Sequence, residues 1–212
     1  MNAPKKSLGQ HWLRDKASLE AMARAGLARD GDVVLEIGPG HGTLTQVLLG
    51  RGARVIAVEK DEQLAEKLAA RINSARFKIV SADILEFDLN ELPRDYKVVA
   101  NIPYYLTSQL IRVLGESANP PKVAALLVQK EVAERLAARP GQMSLLSVSA
   151  QVYYQPTLKE VVLAELFAPP PKVDSQIIQL LRRPQPLVAG DLRKAFFRVV
   201  KAGFSNRRKT VE

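Results

Sequence analysis

The chain has 212 residues, a formal net charge of +9, two histidines and no cysteine. This length suits one sizeable domain with an extension, and no apolar run reaches the ~18 residues that a membrane-spanning helix needs. The absence of cysteine excludes thiolate zinc sites, disulfides and cysteine nucleophiles, and two histidines are too few for a histidine-based metal site. We therefore expect no bound metal and no membrane association. No apolar stretch follows the lysines of residues 1–6, so no secretory signal is expected, and a cysteine-free chain fits a reducing compartment, the cytoplasm.

Apolar runs alternate with helical patterns along the chain, which is typical of an α/β domain built on a parallel sheet. The sequence predicts strands at 33–37, 54–58, 77–80, 97–100 and 123–128, and helices from about residue 44, at 62–72, at 108–114 and at 130–138. The strand at 123–128 is fully apolar, as expected in the middle of a sheet that is covered on both faces. Two further strands are predicted near 146–154 and 176–181.

A glycine-rich loop follows the first predicted strand and opens a helix. Its sequence, Gly38-Pro39-Gly40-His41-Gly42, has the spacing G-x-G-x-G, whereas dinucleotide-binding loops have G-x-G-x-x-G. Glycines let the backbone bend tightly and let a ligand approach it closely. A pyrophosphate needs a helix N-terminus as an anion site, but a sulfonium cofactor is positively charged and needs polar or acidic groups nearby. The spacing favours a sulfonium cofactor and argues against the alternative of an NAD-type oxidoreductase.

Acidic residues follow the second and third predicted strands. Glu59 can accept both hydroxyls of a ribose, although NAD enzymes use an acidic residue in the same way. Asp83 can accept the amine of a cofactor adenine; its alternative role is to cap a turn. Because open α/β sheets bind ligands at the carboxyl edge of the strands, we expect Glu59, Asp83 and the glycine loop to share one site.

The stretch Asn101-Ile102-Pro103-Tyr104 follows the fourth predicted strand. The side-chain oxygen of Asn101 and the backbone carbonyl of Pro103 can both accept hydrogen bonds from an amino group, and the Tyr104 ring can stack on a flat base. The exocyclic amine of adenine is a poor nucleophile because its lone pair is delocalised into the ring. Two acceptors that hold its hydrogens favour a more pyramidal nitrogen. The alternative interpretation is a turn after a buried strand, since Asn-x-Pro is common in turns.

The last third of the chain contains a proline-rich loop and a basic end. Residues 167–175 include three consecutive prolines, which predicts a rigid, extended loop held against a site or, alternatively, a stiff connector. Pro184 and Pro186 mark a boundary, so we assign residues 1–183 to the main domain and 184–212 to the start of a basic helical domain. Residues 182–212 contain nine Lys or Arg and two Asp or Glu, a charge pattern that suits a phosphate backbone.

On these residues the chain resembles the ribosomal RNA adenine dimethyltransferases, which depend on S-adenosylmethionine. The resemblance covers nearly the whole chain and is carried by residues 7–13, 36–45, 101–104, 128–132, 167–175 and 204–210. It is strongest to the branch that dimethylates two adjacent adenines near the 3′ end of small-subunit ribosomal RNA. It implies a Rossmann-like class I methyltransferase fold with a truncated helical C-terminal extension. It also implies a monomer that acts on small-subunit RNA or the ribosomal particle. Since family members usually continue further, we expect this chain to be a fragment.

The resemblance also implies roles for individual residues. Gln10, His11 and Leu13 are expected to close over S-adenosylmethionine. Gly38 and Gly40 would contact its methionine part, Glu59 its ribose and Asp83 its adenine. Asn101 is also expected to contact the cofactor. Asn101 and the Pro103 carbonyl would hold the target amine, with Tyr104 and Phe167 on the two faces of the target base. Arg207, Arg208 and Lys209 are the candidate RNA contacts.

Three alternatives share this fold. The first is a methyltransferase that acts on large-subunit RNA, because Ile102 stands where the small-subunit branch more often has Leu and the same Asn-Ile-Pro-Tyr occurs in large-subunit relatives. A non-catalytic RNA-binding assembly factor predicts RNA affinity without cofactor dependence. A transcription factor on this fold would need a specific protein partner.

Overall fold

A computed structural model describes residues 11–205 of the chain. Its strands are β1 (Trp12–Leu13), β2 (Val33–Ile37), β3 (Arg54–Glu59), β4 (Phe77–Ser81), β5 (Lys97–Asn101), β6 (Val123–Gln129), β7 (Tyr154–Val162), β8 (Phe167–Ala168) and β9 (Ser175–Arg182). Its α-helices are α1 (Lys16–Ala25), α2 (Thr43–Gly50), α3 (Glu62–Arg71), α4 (Thr107–Glu116), α5 (Lys130–Leu136), α6 (Leu145–Gln151) and α7 (Arg193–Ser205). Short 3₁₀ helices lie at Leu89–Glu91, Tyr104–Leu106 and Ala164–Leu166.

The central sheet has the strand order β4-β3-β2-β5-β6-β9-β7. Strands β4, β3, β2, β5 and β6 are parallel, while β9 runs antiparallel to both β6 and β7. The chain moves outward from β2 through β3 and β4 and then returns to place β5 on the other side of β2. This reversal opens a crevice at the carboxyl ends of β2 and β5, where ligands bind in open α/β sheets.

Hydrophobic side chains cover both faces of the sheet. Alternate residues of β6 show this directly, because Leu126 and Val128 pack in one buried cluster while Ala125 and Leu127 pack in the other. A strand buried on both faces reads as a continuous apolar run, so the interpretation of this segment is confirmed, and the α/β fold class is confirmed with it.

The segment 146–154 was predicted as a strand, and this prediction is wrong: residues Leu145–Gln151 form helix α6 and strand β7 begins only at Tyr154. The apolar residues there alternate with period two, which favours a strand. A capping box overrides the pattern, since the Ser144 hydroxyl accepts from the Ser147 amide and the Ser147 hydroxyl accepts from the Ser144 amide. Gln151 adds bonds from its side-chain amide to the carbonyls of Leu136 and Ala138, both 2.9 Å.

Two further features lie outside the central sheet. Strand β1 pairs antiparallel with β8, with Trp12 opposite Ala168 and Leu13 opposite Phe167, so the start of the described chain is held against the proline-rich loop. Helix α7 lies near α6, and its Arg193 guanidinium is 5.6 Å from the centre of the Tyr153 ring. This helix contains no buried residue, although Phe196 and Phe197 are partly buried against the main hydrophobic cluster.

Candidate active site

A cavity of about 260 Å³ lies at the carboxyl edge of the parallel strands. Its walls come from the segments that follow β2, β3, β4 and β5, together with residues at the start of the described chain. The predicted residues that line it are His11, Gly38, Gly40, Glu59, Asp83, Asn101, Pro103 and Tyr104. We call the part around Glu59 and Asp83 the acidic end, and the part around Asn101, Pro103 and Tyr104 the amide end.

The glycine loop forms the floor of the cavity beside β2. Gly40 has a φ of +53°, in the left-handed region that disfavours other residues, and a β-carbon there would lie 3.3 Å from the Trp12 indole nitrogen. Gly42, with a φ of +68°, faces a Leu68 methyl group that would be 2.5 Å from such a carbon. The loop therefore passes close to neighbouring segments only because these positions are glycines.

Glu59 is almost fully buried at the end of β3, with 6% of its surface exposed. Its carboxylate accepts hydrogen bonds from the Gly40 amide at 3.1 Å and the Asp61 amide at 3.0 Å. Burial raises the pKa of this carboxyl, and the bonds from the amides of Asp61 and Gly40 oppose the increase. Each carboxylate oxygen retains acceptor capacity for a hydroxyl in the cavity. Glu59 thus ties the glycine loop to β3, a second role that the sequence did not indicate.

Asp83 follows β4 and is paired with a lysine that sequence reasoning missed. The Lys60 ammonium donates to one Asp83 carboxylate oxygen at 2.7 Å, and the Leu85 amide donates to the other at 3.0 Å. The bond from Lys60 is the main cause that lowers the pKa of Asp83, so the carboxylate stays ionised and remains an acceptor. Lys60 was recognisable in principle, since it directly follows Glu59 at the same edge of the sheet.

Asn101 is the last residue of β5, and the chain turns at Pro103 into a 3₁₀ helix. The Asn101 side-chain nitrogen donates to the His11 carbonyl at 3.1 Å, which leaves the side-chain oxygen as an acceptor. The Pro103 carbonyl accepts from the Leu106 amide at 3.0 Å and has a second lone pair. The Asn101 side-chain oxygen and the Pro103 carbonyl are therefore the acceptors available at the amide end.

The Tyr104 ring is fixed by contacts on two sides. Its hydroxyl lies 2.9 Å from the hydroxyl of Ser175, a fully buried residue of β9. Its ring lies alongside the His11 ring, with the centroids 6.2 Å apart and the planes inclined by 20°. Burial raises the pKa of the Tyr104 phenol, so the group stays protonated at neutral pH. A ring held in this way suits stacking on a base better than proton transfer.

The structure does not bring Leu13 or Phe167 to the surface of this cavity. They face each other in the β1–β8 pair and are only 2% and 5% exposed, because both side chains join the hydrophobic cluster under α1. In this arrangement Phe167 offers no free face to a base, and Leu13 acts through its carbonyl, which accepts from the Thr43 hydroxyl at 3.1 Å. Gln10, Arg207, Arg208 and Lys209 lie outside the described residues.

The cavity suits a cofactor that contains adenosine and carries a positive charge. Ionised Asp83 and the buried Glu59 supply acceptors for an amine and for hydroxyls, and the glycine loop leaves space that β-carbons would fill. Within residues 11–205 no group of three or more His, Asp or Glu is arranged to hold a metal ion. No helix in the same range is long and apolar enough to cross a membrane.

A mostly parallel sheet with this strand order and a glycine loop beside β2 is the fold of the class I S-adenosylmethionine-dependent methyltransferases. Two solved structures of this class are similar to the chain. The 23S rRNA methyltransferase ErmE has a TM-score of 0.79 and 31% identity over 92% of this chain and 80% of its own. A dimethyladenosine transferase from Plasmodium falciparum has a TM-score of 0.82 and 28% identity over 95% and 73%.

The profile of the family described as Ribosomal RNA adenine dimethylase matches residues 1–212, and the chain belongs to that family. The Ribosomal RNA small subunit methyltransferase A of Synechococcus sp. (strain JA-3-3Ab) is 44% identical over 99% of this chain and 78% of its own length. The protein of the same name from Dehalococcoides mccartyi (strain CBDB1) is 39% identical over 98% and 72%. The resemblance inferred from the motifs is confirmed, and the NAD-type alternative is excluded.

Proposed function

We propose that this protein transfers methyl groups from S-adenosylmethionine to the exocyclic amines of two adjacent adenosines in small-subunit ribosomal RNA. One observation carries the proposal: a single cavity joins the acidic end to the amide end. Relatives named as small-subunit methyltransferases are 39% and 44% identical over nearly the whole chain, and this supports the small-subunit substrate.

The acidic end would hold the cofactor. Glu59 would accept the ribose hydroxyls, Asp83 would accept the adenine amine, and Gly38 and Gly40 would leave room for the methionine part. Support comes from the ionised state of Asp83 and from the two amide bonds that fix the Glu59 carboxylate. When bound, S-adenosylmethionine supplies an electrophilic methyl group on its sulfonium.

The amide end would hold the target adenine. The Asn101 oxygen and the Pro103 carbonyl would accept from the two hydrogens of the amine, which localises the nitrogen lone pair and directs it into the cavity. The Tyr104 ring would support one face of the base. A base that reacts at its amine must leave its stack, at a cost of roughly a few kcal/mol, and contact with an aromatic ring offsets that cost. The protein therefore acts by positioning and by electrostatics.

This chemistry needs no strong general base. The amine becomes acidic once it is methylated, so its proton can leave to water, and the Tyr104 phenol, whose pKa is raised by burial, takes no part in that transfer. After the first methylation only one N–H remains, so the monomethylated amine can bond to only one of the two acceptors. Either acceptor can hold it while the nitrogen turns for the second transfer.

The basic end of the chain would contact the RNA backbone. Helix α7 carries Arg193, Lys194, Arg198 and Lys201, and Arg207, Arg208 and Lys209 would extend this charge. Each phosphate contact releases counterions, so RNA affinity is expected to fall steeply as the salt concentration rises. We place the division between the methyltransferase domain and the extension near residue 183, and we propose a monomer in the cytoplasm, where ribosomal RNA and a reducing environment are both present.

The test is methylation of small-subunit particles, naked small-subunit RNA and large-subunit RNA with S-adenosylmethionine labelled in its methyl group. Nucleoside analysis is expected to detect dimethyladenosine at two adjacent positions of small-subunit RNA. Label in large-subunit RNA alone would overturn the substrate, and RNA binding without any transfer would indicate a non-catalytic assembly factor.

A further inference from the structure

The orientation of the Asn101 amide is set by a residue far away in sequence. A backbone carbonyl can only accept a hydrogen bond, so the atom of Asn101 that faces the His11 carbonyl at 3.1 Å must be the side-chain nitrogen. The side-chain oxygen then points away from His11 and is the acceptor left for an amine in the cavity. If the amide rotated by half a turn, its NH₂ group would face the amine and two donors would meet.

The position of the His11 carbonyl depends in turn on the His11 side chain. Nδ1 of the ring lies 2.8 Å from the Pro169 carbonyl, so Nδ1 carries the proton and donates it to this bond. Trp12 and Leu13 continue the attachment by pairing with Ala168 and Phe167. The ring-to-carbonyl bond lies next to this pairing on the N-terminal side, so it helps to fix where the His11 carbonyl lies.

We propose that His11 is a positioning residue for the target amine, acting through the side-chain amide of Asn101. This role rests on the proposed function, and it differs from the contact with the cofactor that the resemblance implies. The His11 side chain fixes its own carbonyl through Pro169, the carbonyl fixes the Asn101 amide, and the amide oxygen then accepts from the adenine amine.

Four substitutions at one position separate the possible contributions of His11. His11→Asn keeps a nitrogen donor the same number of bonds from the backbone as Nδ1, so it can still reach the Pro169 carbonyl. His11→Gln places that nitrogen one bond further out. His11→Phe keeps a ring beside Tyr104 but has no donor, and His11→Ala removes both. Lys16→Ala, an exposed change at the start of α1, serves as the matched control.

At saturating cofactor and RNA we expect kcat to fall about 10- to 100-fold in His11→Ala, His11→Phe and His11→Gln, because small misplacements of a reacting group have effects of this size. His11→Asn is expected to recover most of the rate, and Lys16→Ala to match the wild type. A second measurement needs neither cofactor nor activity: the NMR signal of the Asn101 side-chain amide should shift in His11→Ala and return towards its wild-type position in His11→Asn.

Three results would overturn the proposal. His11→Ala could retain the wild-type kcat, it could raise only the KM for the cofactor, or His11→Asn could be as slow as His11→Ala while both remain folded. In the Asn101→Ala background, the His11→Ala change should cause little further loss, and an independent loss there would also contradict the role. If the wild-type protein itself fails to methylate RNA, the proposed function is wrong, whereas the NMR result still tests the link between His11 and Asn101.

Discussion

The acidic end of the cavity is held by contacts between residues close in sequence, whereas the amide end is held by contacts across most of the chain. Gly40 bonds to Glu59, 19 residues later, and Lys60 bonds to Asp83, 23 residues later. Each contact joins strand ends that consecutive β-α-β units place side by side. This end can form as soon as β2, β3 and β4 have assembled.

The amide end needs three distant segments at once. Tyr104 bonds to Ser175 across 71 residues, Asn101 to His11 across 90, and His11 to Pro169 across 158. Contacts between distant residues cost more loop-closure entropy than local contacts, so they form later in folding. Because the acidic end would hold the cofactor and the amide end the target adenine, we expect changes at the acidic end mainly to weaken cofactor binding and changes at the amide end mainly to slow catalysis.

The largest effect should come from Asn101→Ala at the amide end. Removal of the oxygen acceptor is expected to lower kcat by about 10²- to 10³-fold, the range found when one preorganised polar contact to a transition state is lost. Calorimetry should find a cofactor Kd close to that of the wild type. Asn119→Ala is the control, since Asn119 bonds to the Leu89 and Leu92 carbonyls away from the cavity and should affect stability instead. Retained turnover in Asn101→Ala would reject the role of this residue.

At the acidic end, Asp83→Asn should weaken cofactor binding about 10- to 100-fold, since a charged acceptor contributes roughly 1.5–3 kcal/mol to a hydrogen bond. The substitution also leaves the Lys60 ammonium without its partner carboxylate. Titration calorimetry with S-adenosylmethionine measures the effect, and kcat at saturating cofactor should change less than Kd. Asp95→Asn, which alters an exposed pair with Arg182, is the control. Equal cofactor affinity in Asp83→Asn and the wild type would show that this carboxylate does not bind the cofactor.

A smaller, graded effect is expected at Tyr104. Tyr104→Ala removes the ring, and base stacking on an aromatic ring contributes about 1–3 kcal/mol, so kcat/KM for RNA should fall by roughly 5- to 100-fold. Tyr104→Phe keeps the ring and loses only the bond to Ser175, which is worth about 1 kcal/mol. Ser175→Ala should resemble Tyr104→Phe. Steady-state kinetics compare the three variants, and equal losses in Tyr104→Ala and Tyr104→Phe would argue against stacking.

The last prediction concerns the free energy of unfolding and how it depends on Glu36, which lies in β2 just before the glycine loop. Glu36 is 1% exposed, and burial raises the pKa of its carboxyl from 4.5 to about 8. Between these values the unfolded chain loses a proton that the folded protein keeps, so the free energy of unfolding falls as pH rises from 4.5 and levels off above about 8. Glu36→Gln should abolish this pH dependence, which is on the order of 5 kcal/mol over the interval.

Urea denaturation of the wild type and Glu36→Gln at pH 6 and pH 9 measures the difference. The variant should gain stability relative to the wild type at the higher pH. Parallel pH profiles for the two proteins would mean that Glu36 titrates normally in the folded state.

The acidic end was largely predictable from the sequence, because its residues directly follow strands. Once β3 and β4 were recognised, Glu59 and Asp83 were expected at the same edge of the sheet, and the structure brings both to the cavity. The missed features are pairings within that edge, namely the Lys60–Asp83 ion pair and the bond from Gly40 to Glu59. Strand-end reasoning identifies which residues meet but not which of them bond to each other.

The amide end was predictable only in part. Asn101 and Tyr104 belong to a short motif with its own chemistry, whereas the partners that orient them depend on how residues 11–13 and 167–175 fold onto the rim. Phe167 illustrates the limit: the resemblance implied that its ring would cover one face of the target base, but pairing between β1 and β8 buries it. Long-range pairing of this kind leaves no periodic signal in a single sequence.

The central claim is that cofactor and target adenine meet in one cavity at Asn101. A crystal structure with a bisubstrate analogue, in which the amine of an adenosine is joined to the sulfur position of the cofactor, tests it most directly. We predict that the cofactor adenosine lies against Glu59 and Asp83, and that the target adenine lies on Tyr104. Its amine nitrogen, which keeps one N–H in the analogue, should lie within hydrogen-bond distance of the Asn101 oxygen or the Pro103 carbonyl. A target adenine bound outside the cavity, with no contact to Asn101, would contradict the account.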